Sequence, residues 1–331
     1  MNETKKVFSK IGLGYFIGTI VIYAAQMLVA KIVEMVKPEL LENMDMNVLL
    51  SIAPMYLIGI PVLVALVKRV PATEIQQRKM KWWQFLVALI MCYALMYISN
   101  WIGLGLTAVI GMLLGTTVGN PIVSLASSTN ILTNIIFMVI LAPIIEELVF
   151  RKLLVDRTVR YGQGVSILLS GLMFGLFHGN LNQFVYAFSI GCFFAYIYMK
   201  TGNIKYTIAM HMIINFLGSI VSLVLMRMAN YEGYMELILA GASETELMEF
   251  LMANMVGWAL FGCYALMIVA LVIAGIVLFI VFRKKFTIEA MENQIPKGEG
   301  FKTVILNLGM GLFIVFWIVM VVYQIVGPLL A

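Results

Sequence analysis

The sequence predicts an all-α, polytopic transmembrane helix bundle of about nine spans (eight to nine), with its N-terminus in the cytoplasm. Three observations carry that expectation. Apolar residues fill 62% of the 331 positions and charged residues only 12%; the apolar residues fall in runs of membrane-crossing length; and the basic residues collect in every second connecting segment. A soluble domain has about a quarter of its residues charged, and about half that share leaves too little polar surface to cover a fold in water. The same composition excludes a disordered chain, a collagen and a small disulfide scaffold.

A spanning helix needs about 20 mostly apolar residues. Nine stretches approach this, near 11–30, 47–67, 82–114, 131–150, 163–179, 183–199, 204–226, 251–282 and 303–330. The first is too long for the apolar part of a signal peptide and lacks a small-residue cleavage site, so it reads as an uncleaved anchor. The third and eighth are long enough to tilt, while the fifth and sixth are short, as for helices buried inside a bundle. Gly233 to Phe250 has the pattern of a short amphipathic helix on the outer surface. With no internal repeat and only short loops, residues 1–331 read as a single integral-membrane domain, with a catalytic core at about 130–225.

Orientation follows from the distribution of Lys and Arg. With the N-terminus inside, all 22 basic residues except Lys31, Lys37 and Arg227 fall in or beside cytoplasmic segments, whereas Glu34, Glu39, Glu42, Asp45, Glu232, Glu236, Glu244, Glu246 and Glu249 fall outside. Cys92, Cys192 and Cys263 lie in apolar stretches at no metal-ligand spacing and read as packing residues.

Two carboxylates did not leave the bilayer: Glu146 and Glu147, in APIIEELVFR at 142–151. Both histidines of the chain, His178 and His211, also lie in apolar stretches. An ionisable group in a span costs about 2.5–3.5 kcal/mol on insertion scales and marks a functional site by default. Counting residues from the cytoplasmic turns brings Glu146, His178 and His211 to one depth. On this count Arg151 and Lys152 mark the membrane interface, with Glu146 about 7–8 Å below it. Glu147 and Arg151 are an i,i+4 pair in the favourable order, which leaves Glu146, about 100° round the helix, free. His211 and Asn215, and likewise Phe174 and His178, share a helix face at i,i+4, and Gly171 and Gly175 allow a neighbouring helix to approach closely. Each feature has a structural alternative: a snorkelling ion pair, a hydrogen-bonding histidine between helices, an asparagine that only glues helices. Their coincidence at one depth favours a site.

E-E-x-x-x-R (Glu146, Glu147, Arg151), F-x-x-x-H (Phe174, His178) and H-x-x-x-N (His211, Asn215), in that order on successive helices, resemble the CPBP family of intramembrane proteases, also called the CAAX protease and bacteriocin-processing or Abi family. The resemblance covers about residues 130–225. It implies that Glu146 activates a water held with His178, that His211 and Asn215 stabilise the oxyanion, and that Glu147, Arg151 and Phe174 support the site. Amide hydrolysis needs those parts, a base for water and donors aimed at the tetrahedral oxygen.

A metal-free, glutamate-activated water is favoured. Were zinc present, Glu146, His178 and His211 would be its ligands, although no H-E-x-x-H occurs. The expected partners are the bilayer and a peptide or lipidated-protein substrate reached from the cytoplasmic side, with no nucleic acid; a bacterial cell membrane is the expected location. Rival readings are a proton-coupled transporter, since intramembrane Glu and His also build proton relays, and a non-catalytic immunity or scaffold protein.

Overall fold

The computed structural model describes residues 3–330, and those residues are helical throughout their ordered elements. Among the described residues, eight helices are long and apolar enough to cross a membrane: α1 (Glu3–Val36), α2 (Met44–Val67), α3 (Trp82–Leu114), α5 (Ile131–Tyr161), α7 (Leu181–Thr201), α8 (Ile204–Met228), α11 (Met255–Lys285) and α12 (Leu308–Gly327). The remaining apolar stretch forms α6 (Gln163–Phe177), which is shorter than a span. It stops inside the bundle because Gly179, at φ +63°, turns the chain straight back into α7, with Trp317 pressed against the turn. The bundle thus has eight full spans plus one interior half-span. Three shorter helices, α4 (Pro121–Ser128), α9 (Tyr231–Leu239) and α10 (Glu244–Ala253), complete the elements used below. The amphipathic stretch expected at 233–250 is two helices, because Gly241 (φ +73°) breaks it and Ser243 caps the second half.

The centre of the bundle is the α6–α7 hairpin, held against α3 and α5. Its helices approach closely because glycines face each other: a Cβ on Gly171 would come within 2.7 Å of the Phe188 carbonyl and 2.3 Å of Cys192 Sγ, and one on Gly191 within 3.0 Å of Gly171. The close approach expected from Gly171 and Gly175 is therefore present, and α7 is the most deeply buried of the eight spans.

Several spans are interrupted by π-helical turns, at Met55–Gly59, Ile135–Leu141, Leu148–Leu153 and Phe216–Val221. Two of them precede a proline. In the segment ending at Leu141, Ala142 N–H donates to Phe137 five residues back. In that register the partner of the Met138 carbonyl would be Pro143, which has no N–H. Carbonyls left loose in an apolar surrounding need donors, and side chains from other helices supply them. Asn215 Nδ2 donates to Met138 O (2.9 Å), Tyr15 Oη to Val149 O (2.7 Å), Ser170 Oγ to Phe150 O (2.8 Å) and Tyr264 Oη to Leu217 O (2.6 Å). The π turns thus become the interhelix fasteners around residues 138–217.

The helix ends sort onto two faces. On one, Thr73 N–H donates to Asp156 O, Arg78 N–H to Thr201 O and Ile295 N–H to Tyr161 O, and Lys200 pairs with Glu289 at 2.8 Å, holding that exposed carboxyl below its ordinary pKa. Gly309 N–H donates to Ser9 Oγ, which brings the start of α1 to the same face. This face gathers the basic segments 68–81, 157–160, 200–205 and 283–302. On the other, Asn130 N–H donates to Asp45 Oδ1 and Arg227 Nη2 to Ser127 O. Arg151 belongs to neither. It is fully buried, ten residues before the end of α5, and does not mark an interface as the sequence led one to expect.

Replacing Gly171 with Val should cost about 1–3 kcal/mol through overpacking of the hairpin. The check is the melting temperature in detergent, which should fall clearly relative to a Gly105→Val control, where a side chain meets open space.

Candidate active site

Glu146 and Glu147 are adjacent on α5 and so point in different directions, and the bundle treats them differently. Glu147 is fully buried. Its Oε1 lies 3.0 Å from Arg151 Nη2 and 3.1 Å from His211 Nδ1. The i,i+4 pair read from the sequence forms, and it has a third member 64 residues away that spacing could not reveal. The arginine contact is one of charge, without the alignment of a hydrogen bond. The guanidinium instead lies between two aromatic faces, its Cζ 4.4 Å from the centre of Phe174 and 5.5 Å from that of Phe194. Such stacking favours a cation that has been taken out of water.

Phe174 joins the parts. Its ring meets Arg151 on a face and makes edge contacts with His178 (4.9 Å) and His211 (5.9 Å). Phe194 packs the other side of His211 at 5.5 Å. Phe194 went unrecognised in the sequence, because one aromatic in an aromatic-rich helix looks like packing.

The hydrogen bonds set both imidazole tautomers. His178 Nδ1 is 2.8 Å from the Phe174 carbonyl, one turn earlier. A carbonyl only accepts, so Nδ1 carries the proton and Nε2 has a free lone pair. His211 likewise directs Nδ1–H at Glu147, leaving Nε2 toward Glu146, whose Oε2 lies 3.7 Å away. That separation is too long for a direct hydrogen bond and suits a shared water.

Glu146, His178, His211 and Asn215 line one cavity of about 330 Å³, with Phe174 in its wall. Glu147 and Arg151 lie behind that wall. Asn215 commits one amide N–H to Met138 O, which fixes its side chain at the cavity edge; an amide nitrogen has a second N–H to offer. The polar side chains of Asn100, Gln183 and Tyr186, which no motif marked, also line it. Ser170 donates its hydroxyl to the Phe150 carbonyl.

Between this site and the basic face lies a layer of packed side chains, and the cavity of about 380 Å³ that opens on that face, lined by Arg78, Lys200, Lys285, Met91 and Phe193 among others, shares no lining residue with the site's cavity. Arg151, Leu154, Val155, Phe194, Tyr198 and Met210 are each wholly buried.

Zinc fits poorly as the side chains stand. Among the described residues no three His, Cys, Asp or Glu side chains gather at metal-ligand spacing, and Glu147, which could add a ligand, is engaged by Arg151 and His211.

Eight apolar spans surrounding a buried carboxylate–imidazole cluster define an integral, multi-pass membrane protein with a polar cavity at its centre. Residues 128–217 match the family described as "Type II CAAX prenyl endopeptidase Rce1-like". The match agrees with the resemblance to CPBP and CAAX proteases, and the matched segment contains all seven motif residues. At family level the match supports a CAAX-type intramembrane endopeptidase. No curated protein and no solved structure matches the chain.

Replacing Glu147 with Gln should destabilise the protein by about 3–5 kcal/mol, because it leaves the Arg151 charge buried and uncompensated. Adding Arg151→Met should recover much of that loss. Unfolding of the two variants in detergent measures the difference; equal stability would mean that the pair carries no such coupling.

Proposed function

We propose that the protein hydrolyses a peptide bond in a short or membrane-tethered peptide, with Glu146 as the base. The observation that carries this reading is the convergence of Glu146, His178 and His211 from three helices on one cavity. A water sits between the Glu146 carboxylate and the His178 Nε2 lone pair. Glu146 takes a proton from it as its oxygen bonds to the substrate carbonyl carbon. The carbonyl oxygen becomes an oxyanion that receives N–H from Asn215 and from His211. Collapse breaks the C–N bond as Glu146 passes its proton to the departing amine nitrogen, and the carboxylic acid that forms gives up its remaining proton to the free amine.

His211 has a particular requirement in this scheme. Its Nδ1–H is spent on Glu147, so Nε2 can donate to the oxyanion only when the ring is an imidazolium. A buried carboxylate on Nδ1 stabilises that cation and holds its orientation, as the carboxylate of a serine-protease triad does for its histidine. Glu147 thus acts through His211, and Arg151 with its two aromatic neighbours keeps Glu147 in place. This account needs no covalent nucleophile.

A CAAX-type family admits a prenylated tail as substrate, and an unmodified peptide fits the same chemistry; both enter the assay as candidate substrates. A proton-coupled carrier would need a polar path through the molecule, and the layer of packed side chains on the basic side argues against one.

Glu146→Gln keeps the side-chain shape and removes the base, so product formation should fall by about 10²–10⁴-fold with an unchanged melting temperature. Mass spectrometry of peptides from membranes with wild type or variant reads this directly. An unchanged peptide profile would end the protease reading. Stoichiometric metal in active protein, with activity lost on chelation and restored by that metal, would replace the glutamate-only scheme.

A further inference from the structure

A second cavity, of about 360 Å³, adjoins the first. Val123, Gly218 and Ser219 line both, and from there the second continues past Ser222 to Arg227 and Glu232. The two lie end to end along one side of α8, opposite α4. They run away from the basic face, toward the face where Arg227 meets Ser127 and Asp45 meets Asn130. From His211 to Arg227 is 16 helical residues, about 24 Å, which is the length of about seven residues of extended chain.

From this arrangement we infer that the substrate reaches Glu146 as an extended polypeptide threaded along α8 from the membrane face opposite the basic segments. That face is the non-cytoplasmic one by the distribution of Lys and Arg. Three observations agree. The cavity on the basic face, which reaches in as far as Met91 and Phe193, shares no lining residue with the site's cavity, and Leu154, Val155, Tyr198 and Met210 are wholly buried on that side. The groove floor is made of small residues, and a Cβ on Gly218 would meet nothing within 4 Å, so there is open space above that backbone. Ser219 and Ser222, half-buried along the same floor, are small and turn their hydroxyls back onto the Asn215 and Leu217 carbonyls, which leaves the width of the groove to an incoming chain. The mouth has one charge of each sign, Arg227 and Glu232, which suits a peptide recognised by its backbone better than a strongly charged partner.

What is cut rests on the endopeptidase reading; the route is a property of the cavities alone, and the test separates the two. In protein carrying Cys263→Ala, which removes the exposed native thiol, Ser219→Cys and Ser222→Cys are each exposed to a membrane-impermeant maleimide. Labelling is measured in intact expressing cells and in inverted vesicles, against the Cys263→Ala parent and against Lys297→Cys on the basic face. The expected result is labelling of Cys at 219 and 222 from the outside of cells, and of Cys at 297 only in inverted vesicles. Labelling at 219 and 222 only in inverted vesicles, or in neither preparation, overturns the inference.

Independently, Gly218→Leu fills the groove without touching the four cavity residues assigned to the chemistry. It should lower kcat/KM for a peptide at least tenfold with an unchanged melting temperature; wild-type cleavage by this variant also overturns the inference. If wild type and Glu146→Gln give the same peptides, the protease reading has failed, while the labelling pattern still decides the route.

Discussion

The structure depends most on a carboxylate that has been withdrawn completely from solvent. Glu147 can stay there only because Arg151 meets it one helical turn on, His211 donates to it from α8, and Phe174 and Phe194 enclose the arginine. Removing two charges from water is costly enough that such a pair adds little stability by existing, yet much is lost when one partner goes. Its value here is positional. With Glu147 fixed inward, the rotation of α5 is set, and Glu146, about 100° further round, must face the cavity. One adjacent carboxylate is held inside the packing and the other is turned to the cavity.

A second constraint acts through the backbone. A membrane protein has no water with which to satisfy loose carbonyls, and this chain makes several by winding parts of its spans as π-helix. Each loosened carbonyl named above receives a donor from a different helix: Asn215 at Met138, Tyr15 at Val149, Ser170 at Phe150, Tyr264 at Leu217. Pro143 therefore has an effect on the site although it touches no substrate. By lacking an N–H it exposes the Met138 carbonyl that anchors Asn215.

The parts of this arrangement that were legible in the sequence are those fixed by local spacing. The Glu147–Arg151 pair, the shared face of Phe174 and His178 and the glycine contact of α6 with α7 all follow from 3.6 residues per turn. The contacts that were not legible join residues far apart in the chain. Nothing local shows that Glu147, rather than Glu146, receives His211, or that Phe194 encloses Arg151. Arg151 itself was misplaced because a basic residue near the end of an apolar run normally snorkels to the interface; paired and stacked, it stays inside. The fifth stretch, read as a short span, is a half-span because its reversal at Gly179 lies within the bundle. The depth count aligned the three ionisable groups but could not say which side of them is open, since that depends on how neighbouring helices pack.

The protein has only two histidines, and both belong to the site, so histidine labelled with ¹⁵N reports on the site alone. The account requires Nδ1 of both rings to carry a proton, one bound to a backbone carbonyl and one to Glu147. Solution or solid-state ¹⁵N NMR of the protein in detergent or lipid should therefore show two Nδ1-protonated imidazoles, and Glu147→Gln should shift one strongly and leave the other nearly unchanged. Two rings exchanging between tautomers, or a Glu147 substitution that disturbs neither, would contradict the claim that the buried carboxylate organises the site.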